Sequence, residues 1–428
     1  MSATPPAAAR PWAWIPTLYF AQGLPYVVVM TLSVILYKNL GVSNAEIALY
    51  TSWLYLPWVI KPLWSPVVDL LGTKRAWIVA LQFAVGAALA LVALTLPVDR
   101  FFQLSLAVFW LMAFASATHD IAADGFYLLA LAEKDQAAFV GVRSAFYRAA
   151  MIAGQGGLVF LAGRLAELTG DTRFAWQVVF GVLAGFFVAL FAWHRLVLPR
   201  PAADGPVAGS GGFAAGFLET LASYFARKDI LLVLAFLLTF RLGEAQGLKL
   251  VTPFLLDPRA AGGLGLTTAQ VGLVYGTFGV LALTVGGILG GLAISRHGLR
   301  RWLWPMVFAV HGPNLAFVWL ATAQPGDPAL VAAVIAFEQF GYGFGFAAYL
   351  MYMIGVADGP HKTAHYAICT GFMALGMMLP GMASGWIQEM LGYRHFFWWV
   401  CACTIPSIVV TAFLRIDPAF GRRAGDGR

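Results

Sequence analysis

Two aspartates that could take part in proton chemistry lie inside a strongly apolar stretch. Asp120 and Asp124 belong to the segment FFQLSLAVFWLMAFASATHDIAADGFYLLAL, residues 101–131. Their spacing of four residues places both carboxyl groups on one face of a helix. A carboxylate in hydrocarbon is costly, and membrane proteins rarely keep one without a use. The spacing therefore predicts a helix face that looks into a polar cavity through which a solute could pass.

The composition is that of a membrane protein built from helices. The chain has 428 residues, of which 60% are hydrophobic and 11% charged, and its mean hydropathy is +0.78. A soluble domain of this size would carry about 25% charged residues. Apolar runs of about 20 residues recur along the whole length, as expected for several transmembrane helices. No separate soluble domain and no cleaved signal peptide are expected.

Twelve transmembrane spans are predicted, and their flanking charges give an orientation. The predicted spans are 12–37, 45–68, 76–97, 101–131, 137–163, 174–197, 229–256, 268–293, 302–322, 328–357, 363–390 and 394–415. Sixteen Lys and Arg residues fall in the loops on the side of the two termini, against six in the opposite loops. Because positive loops stay in the cytoplasm, both termini are predicted to be cytoplasmic. The net charge of +7 reflects this asymmetry, so no nucleic-acid partner is expected beside the lipid bilayer.

A long polar loop divides the chain into two similar halves. We expect an N-terminal six-helix bundle over 1–197, a cytoplasmic linker with a possible amphipathic helix over 198–228, and a C-terminal six-helix bundle over 229–428. Segment 65–75 recurs at 291–301, with a small residue, a polar residue, a glycine and two basic residues in the same register. Duplicated halves are typical of transporters that rock two bundles around a central site.

The first copy of this loop motif has the fuller set of charges. Asp69, Lys74 and Arg75 are predicted to brace the cytoplasmic gate of such a transporter. In the second copy Ser295 stands in place of the acidic residue. Ordinary basic anchors at the membrane surface are the alternative interpretation of that second copy.

Eight charged residues lie deep in the predicted spans, and their depths suggest partners. They are Asp120, Asp124, Arg143, Arg148, Arg241, Glu244, Lys249 and Glu338. Counted from the loop residue Lys134, Asp124 and Arg143 lie about 15 Å deep, and Asp120 and Arg148 about 21 Å deep. The depths predict the facing pairs Asp124 with Arg143 and Asp120 with Arg148. By contrast, Glu46, Lys61 and Glu389 lie near span ends, where their side chains can reach water.

These charges admit two interpretations. The pairs could form a static ionic lock between two helices. Alternatively they form a switchable network, in which a proton on an aspartate frees an arginine to bind an anionic substrate. In the seventh span Arg241 and Glu244 are three residues apart and can neutralise each other, which leaves Lys249 without a local partner. Glu338 is a candidate proton carrier, or else a neutral carboxyl group with one interhelical hydrogen bond.

Other polar and aromatic residues add detail to the predicted cavity. Tyr19, Gln22 and Tyr26 share a helix face and could bind a sugar, whereas four aromatic residues of the second span are predicted to be interfacial or packing residues: Trp53, Tyr55, Trp58 and Trp64. His119 is predicted to be packed or hydrogen-bonded. Glycines in the fifth span favour close packing, and those in the first and tenth spans favour packing or a bend beside a cavity. No HExxH, GxSxG or P-loop pattern occurs, so neither enzyme chemistry nor a metal or cofactor is expected.

Several short motifs, taken in order along most of the chain, resemble one known family. They are FAQGLP (20–25), WSPVVD (64–69), SATHDIAAD (116–124), YR (147–148), GQGG (154–157), RLGE (241–244), FE (337–338) and GW (385–386) with Glu389. This succession resembles the AmpG-type muropeptide permeases of the major facilitator superfamily, a branch that also contains acetyl-CoA transporters and siderophore permeases.

The resemblance implies a proton-driven importer in the bacterial inner membrane. Its cargo would be N-acetylglucosaminyl-anhydro-N-acetylmuramic acid, with or without the stem peptide. The paired acidic residues of the family's fourth span carry over to Asp120 and Asp124. The basic and acidic residues of its seventh span carry over to Arg241 and Glu244. Arg143 and Lys249 depart from the pattern, since neutral residues are expected there, and they favour a more anionic or smaller cargo.

The combined expectation is an all-α membrane protein with the major facilitator fold and alternating access. It would act as a monomer, without a cofactor, on a small-molecule substrate coupled to protons. Proton coupling is predicted at Asp120, Asp124, Glu338 and Glu244, and substrate binding at Tyr19, Gln22, Tyr26, Arg143, Arg148, Arg241 and Lys249. Two alternatives remain open at this point. One is the same fold importing a siderophore or another anionic metabolite, and the other is a membrane-embedded enzyme or receptor without transport.

Overall fold

The structure, a computed structural model, is helical from end to end. It describes residues 11–131, 133–202, 204–205, 219, 221–357 and 362–422. In the first half the α-helices are α1 (Ile15–Val27), α2 (Ser33–Asn39), α3 (Asn44–Trp53), α4 (Leu56–Leu70), α5 (Lys74–Thr95), α6 (Phe101–Ala130), α7 (Glu133–Ile152), α8 (Val159–Thr169) and α9 (Thr172–Val197). In the second half they are α10 (Ile230–Thr239), α11 (Leu242–Leu256), α12 (Thr268–Val271), α13 (Val280–His297), α14 (Leu299–His311), α15 (Asn314–Ala323), α16 (Pro328–Val356), α17 (Lys362–Ala402) and α18 (Ile405–Ala412).

Three π-helical turns join consecutive helices into longer rods. Val28–Leu32 links α1 to α2, Ala153–Leu158 links α7 to α8, and Gly272–Gly279 links α12 to α13. Among the described residues, ten helical runs are long and apolar enough to cross a membrane. Leucines on their outer faces are largely exposed, among them Leu196, Leu231 and Leu168. A lipid-facing surface explains this exposure, which a soluble protein would not tolerate over so much of its surface.

The ten runs correspond to the predicted spans except at two places. The predicted second span is divided into α3 and α4 at Leu54 and Tyr55, and three prolines and Lys61 lower the hydropathy of α4. The predicted eleventh and twelfth spans lie in one run of 49 residues, Ala364–Ala412. Gly392 has φ 69° and ψ 163° inside that run, a non-helical conformation that breaks it. The number of twelve spans and the cytoplasmic position of the termini stay predictions.

The two halves meet along two seams where backbones come unusually close. In one seam Gly276 of the π-helical turn before α13 lies directly against Gln155 and Gly156 of the turn before α8. In the other seam Gly385 of α17 lies against the backbone of Asn44 at the start of α3. A Cβ atom at either glycine would collide with main-chain atoms of the other half. The absence of a side chain is therefore what lets the halves make contact.

Glycines of the tenth predicted span also serve packing rather than bending. α16 runs without interruption from Pro328 to Val356. Along it Gly341 faces the carbonyl of Ala309, and Gly345 faces the carbonyl of Met306. Close packing is confirmed for this helix, because neighbouring backbones occupy the space that the missing side chains leave, and a bend beside a cavity stays a prediction.

A buried chain of neutral polar groups ties four helices of the first half together. The amide oxygen of Gln82 accepts a hydrogen bond from Nδ1 of His194 at 2.8 Å, while its amide nitrogen lies 3.2 Å from Nε2 of His119. Nε2 of His194 lies 2.9 Å from Oγ1 of Thr17. The prediction of a hydrogen-bonded His119 is confirmed. Because the glutamine amide has a fixed donor end and a fixed acceptor end, it fixes the tautomers of both histidines.

The loop before α5 is held by the segment that follows α9. The carboxylate of Asp204 accepts hydrogen bonds from the backbone nitrogens of Lys74 at 2.7 Å and Arg75 at 3.1 Å. The guanidinium of Arg75 donates to the carbonyls of Leu198 at 3.1 Å and Arg195 at 2.5 Å. The side chain of Asp69 lies outside the part of the chain that the structure describes. The described bonds of Arg75 thus brace this end of the first half internally.

About half of the linker lies outside the described residues, and the predicted amphipathic helix falls partly there. Residues 221–225 are helical, and Tyr224 is fully buried. Its ring stacks on Phe372 of α17, with ring centroids 6.5 Å apart. The end of the linker is therefore docked on the second half.

The close approach of Gly276 to Gln155 and Gly156 gives a first prediction. Gly276→Ala should lower the melting temperature of the purified protein, because overpacking of this kind costs about 1–3 kcal/mol. Thermal unfolding in detergent, followed by tryptophan fluorescence, measures the effect. Gly185→Ala in α9 is the matched control, since no atom lies within 4 Å of a Cβ built there. Equal melting temperatures for the two variants would contradict the argument.

Candidate substrate-binding site

Two adjoining cavities lie in the interior of the protein. The smaller has a volume of about 290 Å³, and its lining includes Tyr19, Gln22, Arg143 and Arg148. The larger has a volume of about 400 Å³, and its lining includes Tyr26, Arg148, Arg241 and Lys249. Arg148 borders both, as do Tyr147 and Met151. All seven residues predicted to bind substrate therefore line one or other of these two adjoining cavities.

Asp124 forms the ion pair that its depth predicts. Its Oδ1 lies 2.9 Å from Nη2 of Arg143, and it also accepts a hydrogen bond from the hydroxyl of Tyr19 at 3.4 Å. The guanidinium of Arg143 lies 4.5 Å from the ring centroid of Tyr19 and 5.0 Å from that of Tyr127. The side chain of Asp124 is 45% exposed, so this pair is reachable from the cavity. Two aromatic faces and one carboxylate thus hold Arg143 in place.

Asp120 has a different partner from the one predicted. Its Oδ2 lies 3.7 Å from Nζ of Lys61 and accepts a hydrogen bond from Nε1 of Trp58 at 3.2 Å. The predicted pair of Asp120 with Arg148 is therefore wrong, as is the expectation that Lys61 only reaches for water. The physical reason is packing: α4 lies against α6 and brings Lys61 to Asp120, whereas α7 packs mainly on α1.

Arg241 and Glu244 form a bidentate pair at a break between two helices. Arg241 precedes α11, and its Nε and Nη2 donate to the two carboxylate oxygens of Glu244 at 3.1 and 2.5 Å. Nη2 also donates to the hydroxyl of Tyr342 at 2.8 Å. The guanidinium lies 5.1 Å from the ring centroid of Phe346. The prediction that these two charges neutralise each other is confirmed, and both side chains are 10% exposed.

Lys249 and Glu338 are buried without an opposite charge among the described residues. Nζ of Lys249 donates to Oγ1 of Thr51 at 3.0 Å and lies 5.2 Å from the ring centroid of Tyr55. Thr51 belongs to α3, so this bond crosses from one half to the other. Glu338 accepts a hydrogen bond from its neighbour Gln339 at 2.8 Å. Lys249 lines the larger cavity. Beside Glu338, it is the neighbouring residue Gln339 whose side chain lines that cavity.

Several tyrosines of the cavity were not predicted from the sequence. Tyr55, Tyr147, Tyr275 and Tyr342 line the larger cavity. Tyr342 follows Glu338 by four residues and so shares its helix face, which is a signal that the sequence offered. Tyr55 was assigned to packing and instead faces the cavity, because α3 ends beside it and the chain turns before α4.

A second polar cluster joins the halves at the end of the protein opposite to Lys74 and Arg75. Nζ of Lys38, at the end of α2, lies 2.6 Å from Oδ1 of Asp257 at the end of α11. The hydroxyl of Tyr393 donates to Oδ2 of the same carboxylate at 2.6 Å. Asn44 receives a hydrogen bond from Lys38 at 2.8 Å and donates one to Gln388 at 2.7 Å. We call these five residues the Lys38 network.

The Lys38 network closes one end of the space between the halves. Lys38 and Asn44 belong to the first half, and Asp257, Gln388 and Tyr393 to the second. Nearby, Glu389 accepts a hydrogen bond from the backbone nitrogen of Ala45 at 2.9 Å. Sequence reasoning missed the network, although Lys38 and Asp257 end corresponding helices of the two repeats. Pseudo-twofold symmetry would have placed those ends next to each other.

Comparison with solved structures agrees with this arrangement of helices. A mutant of the nucleoside transporter NupG matches with a TM-score of 0.71 at 16% identity, over 94% of this chain and 99% of that one. A D-xylose-proton symporter matches with a TM-score of 0.66 at 11% identity, over 97% of this chain and 100% of that one. At these identities the similarity concerns the fold.

Comparison of sequences gives the family. The chain is 26% identical to the anhydromuropeptide permease of Escherichia coli over 412 residues, which cover 93% of this chain and 78% of that protein. It is 24% identical to the putative transporter AmpG 4 of Rickettsia conorii over 414 residues, 93% and 94% of the two chains. Residues 17–357 match the sequence profile of the Major Facilitator Superfamily. The resemblance to the AmpG-type permeases is therefore confirmed, and the chain is a multi-pass inner-membrane transporter that belongs to the major facilitator superfamily.

Proposed function

We propose that this transporter imports anhydro-muropeptides, or related amino-sugar solutes, together with protons. The observation that carries the proposal is the larger cavity between the halves, with the cation Arg148 in the wall of one half and the cations Arg241 and Lys249 in the wall of the other. The similarity to the anhydromuropeptide permease of Escherichia coli supports this class of cargo. The proposal includes twelve spans, cytoplasmic termini and a monomeric transporter.

The proposed binding mode divides the cargo between the two cavities. Tyr19 and Gln22 in the smaller cavity and Tyr26 in the larger one offer rings and hydrogen-bonding groups to a sugar. The cations nearby would bind its acidic groups, since guanidinium and ammonium groups bind carboxylates by charge-assisted hydrogen bonds. The larger cavity falls within the usual range of about 300–1,000 Å³ for small-molecule sites.

Proton coupling would use the carboxyl groups beside this space. Asp124 holds Arg143, and Glu244 holds Arg241, through direct ion pairs. A proton on either carboxylate would release the arginine for cargo, which is the switchable interpretation of these pairs. Asp120 and Glu338 are further candidates, the first beside Lys61 and the second without a cation among the described residues.

Alternating access would move the two halves about the cavity. The Lys38 network closes the end that faces outward in the predicted orientation. Asp69, Lys74 and Arg75 would stiffen the cytoplasmic end, where Arg75 binds two carbonyls at the end of α9. In this proposal the network opens to admit cargo and closes before release on the inside.

The coupling is tested by uptake into proteoliposomes. Accumulation of radiolabelled N-acetylglucosaminyl-anhydro-N-acetylmuramic acid should follow an imposed pH gradient. With one proton per cargo, a gradient of about one pH unit provides about 1.4 kcal/mol and supports about tenfold accumulation. Asp124→Asn and Glu338→Gln are tested separately to identify the coupling group. The variant that removes this group should lose gradient-driven accumulation but keep the exchange of labelled for unlabelled cargo.

Asp99→Asn is the matched control, because Asp99 is an exposed loop carboxylate. It should accumulate cargo like the unmodified protein. Uptake that ignores the pH gradient, or full accumulation by Asp120→Asn, Asp124→Asn, Glu244→Gln and Glu338→Gln alike, would reject proton coupling through these residues.

The role of the Lys38 network as a gate gives a separate prediction. Asp257→Asn removes the charge that Lys38 and Tyr393 bind, and hydrogen bonds to charged groups are worth about 1.5–3 kcal/mol. The equilibrium should therefore shift by at least about tenfold towards the conformation that is open at this end. Spin labels at Val98 and Ala260, both exposed there, would report a longer distance.

The labelled protein needs Cys369, Cys401 and Cys403 replaced first, and the same labels in an otherwise unchanged chain provide the reference. Asp99→Asn is the matched control, because it changes an exposed charge at the same end of the protein. Asp327→Asn is less suitable, because Asp327 caps a helix. Identical distance distributions for Asp257→Asn and the reference would remove the network from the gating mechanism.

A competing function keeps the fold and changes the cargo to another anionic metabolite. Lys249 favours it, since this cation departs from the residues expected of the muropeptide permeases. Uptake of the anhydro-disaccharide, compared with uptake of free N-acetylglucosamine and of a ferric siderophore, distinguishes these cargoes. Accumulation of the siderophore alone would replace the proposed function with the competing one.

A further inference from the structure

We infer that Lys249 selects for cargo that carries a carboxylate, and that Arg148 assists it from the opposite wall of the cavity. The inference rests on the proposed function, in that it takes this cavity to be the path of the cargo. It adds a specificity-determining residue and a chemical requirement: a sugar-sized molecule with an acid group is bound, and its neutral amide is bound much less tightly.

The first step is to account for the buried cations. Arg143 is paired with Asp124, Arg241 with Glu244, and Lys61 with Asp120. Lys38 is paired with Asp257 at the closed end. Each of these cations already has an anion that compensates its charge. Among the described residues that line the larger cavity, this leaves the charges of Lys249 and Arg148 unmatched.

The second step is the state of the Lys249 side chain. The residue is 4% exposed, and its ammonium group donates to the neutral hydroxyl of Thr51 at 3.0 Å. The ring of Tyr55 lies on one side of it, 5.2 Å away. An ammonium group has three donors, of which one is used here. A buried cation with so little compensation is unfavourable, and an anion in the cavity would remove that cost.

The third step is the position of Arg148 relative to Lys249. Lys249 belongs to α11 in the second half, and Arg148 to α7 in the first. Arg148 reaches towards the second half, since a Cβ built on Gly287 would lie 3.6 Å from its Nη2. One anionic cargo would therefore meet cations of both halves. This contact from both sides links binding to the relative position of the halves.

The fourth step is the chemistry of the remaining wall. Tyrosines and two amides, Gln155 and Gln339, line the same cavity. Aromatic faces pack on sugar rings, and amides bond to hydroxyl and acetamido groups. The ammonium group, the tyrosine rings and the amides offer the contacts that a cyclic polyhydroxy acid can make, and apolar side chains such as Leu283 and Phe346 form much of the remaining wall.

The test compares acids with their own amides on the purified full-length protein. Binding of 1,6-anhydro-N-acetylmuramic acid and of its carboxamide is measured by isothermal titration, and glucuronic acid and glucuronamide form a second pair. The protein should prefer the acid at least about tenfold in one pair or both, because a charge-assisted bond replaces a neutral one. Lys249→Gln should lower the affinity for the acid at least about tenfold and leave the affinity for the amide unchanged.

Matched variants separate recognition of charge from damage to the fold. Lys249→Arg should keep a preference for the acid, and Lys228→Gln, which changes an exposed lysine outside the cavity, should behave like the unmodified protein. If Lys249→Gln does not fold, Lys249→Met takes its place. An unmodified protein that prefers the acid in neither pair overturns the inference without the use of any variant. A preference that Lys249→Gln leaves undiminished also overturns it.

The outcomes distinguish this inference from the proposed function. A preference for glucuronic acid that depends on Lys249, without binding of the anhydro-muramic acid, supports the inference and rejects the muropeptide cargo. Uptake of the anhydro-disaccharide with equal affinity for acid and amide supports the proposed function and rejects the inference.

Discussion

A charge inside a bilayer is stable only beside an opposite charge, a strong hydrogen-bonding group or water, and this constraint organises the interior of the protein. Asp124 and Arg143 join α6 to α7, and Lys61 and Asp120 join α4 to α6. Each pair removes two unmatched charges and ties two helices of the first half. While both pairs are intact, α4, α6 and α7 are tied together. The first half can therefore behave as one body.

The contact between the halves follows a different rule from the contacts within them. Along the seam at Gly276 and Gly156 the halves meet through backbone and small side chains. Such contacts gain dispersion energy without burying a charge, so separating them exposes no unpaired ion. Polar bonds between the halves are concentrated at the Lys38 network and at the bond of Lys249 to Thr51. The apolar seam at Gly276 permits movement, whereas these polar contacts lie along the other seam, beside Gly385 and Asn44, and can bias the position of the halves.

Apolar periodicity and depth predicted much of the fold and part of the site. The pair Asp124–Arg143 was predictable because it joins two helices that follow each other in the chain, so that depth determines which residues face each other. The pair Arg241–Glu244 was predictable because the two residues are only three positions apart. The contact of Lys61 with Asp120 depends on how α4 lies against α6, a choice that no local pattern in the sequence specifies. Glycines posed a similar difficulty in α16, since a missing side chain permits a bend, a close neighbour or both, and only the positions of Ala309 and Met306 reveal the close neighbours.

Span ends were interpreted too narrowly. Lys38 was counted as a loop cation, and Glu389 as a residue that reaches water, because a sequence shows each end by itself. In the folded chain those ends meet their counterparts from the other half. The ion pair with Asp257 makes Lys38 a link between the two halves. Pseudosymmetry is the piece of information that links such ends, and a weak internal repeat is enough to suggest which ends correspond.

Charge balance gives a physical reason why anionic cargo and a proton would travel together in the proposed cycle. Bringing one negative charge into a compartment that is negative inside costs about 2.3 kcal/mol for each 100 mV of membrane potential. A proton that enters with the cargo cancels this cost. A symporter of this kind needs an uncompensated cation for the cargo and an uncompensated carboxyl group for the proton. Lys249 on α11 and Glu338 on α16 are such groups among the described residues, and both belong to the same half. If cargo and proton are bound by one half, its movement against the other carries both together, and the coupling then needs no separate signal between the halves.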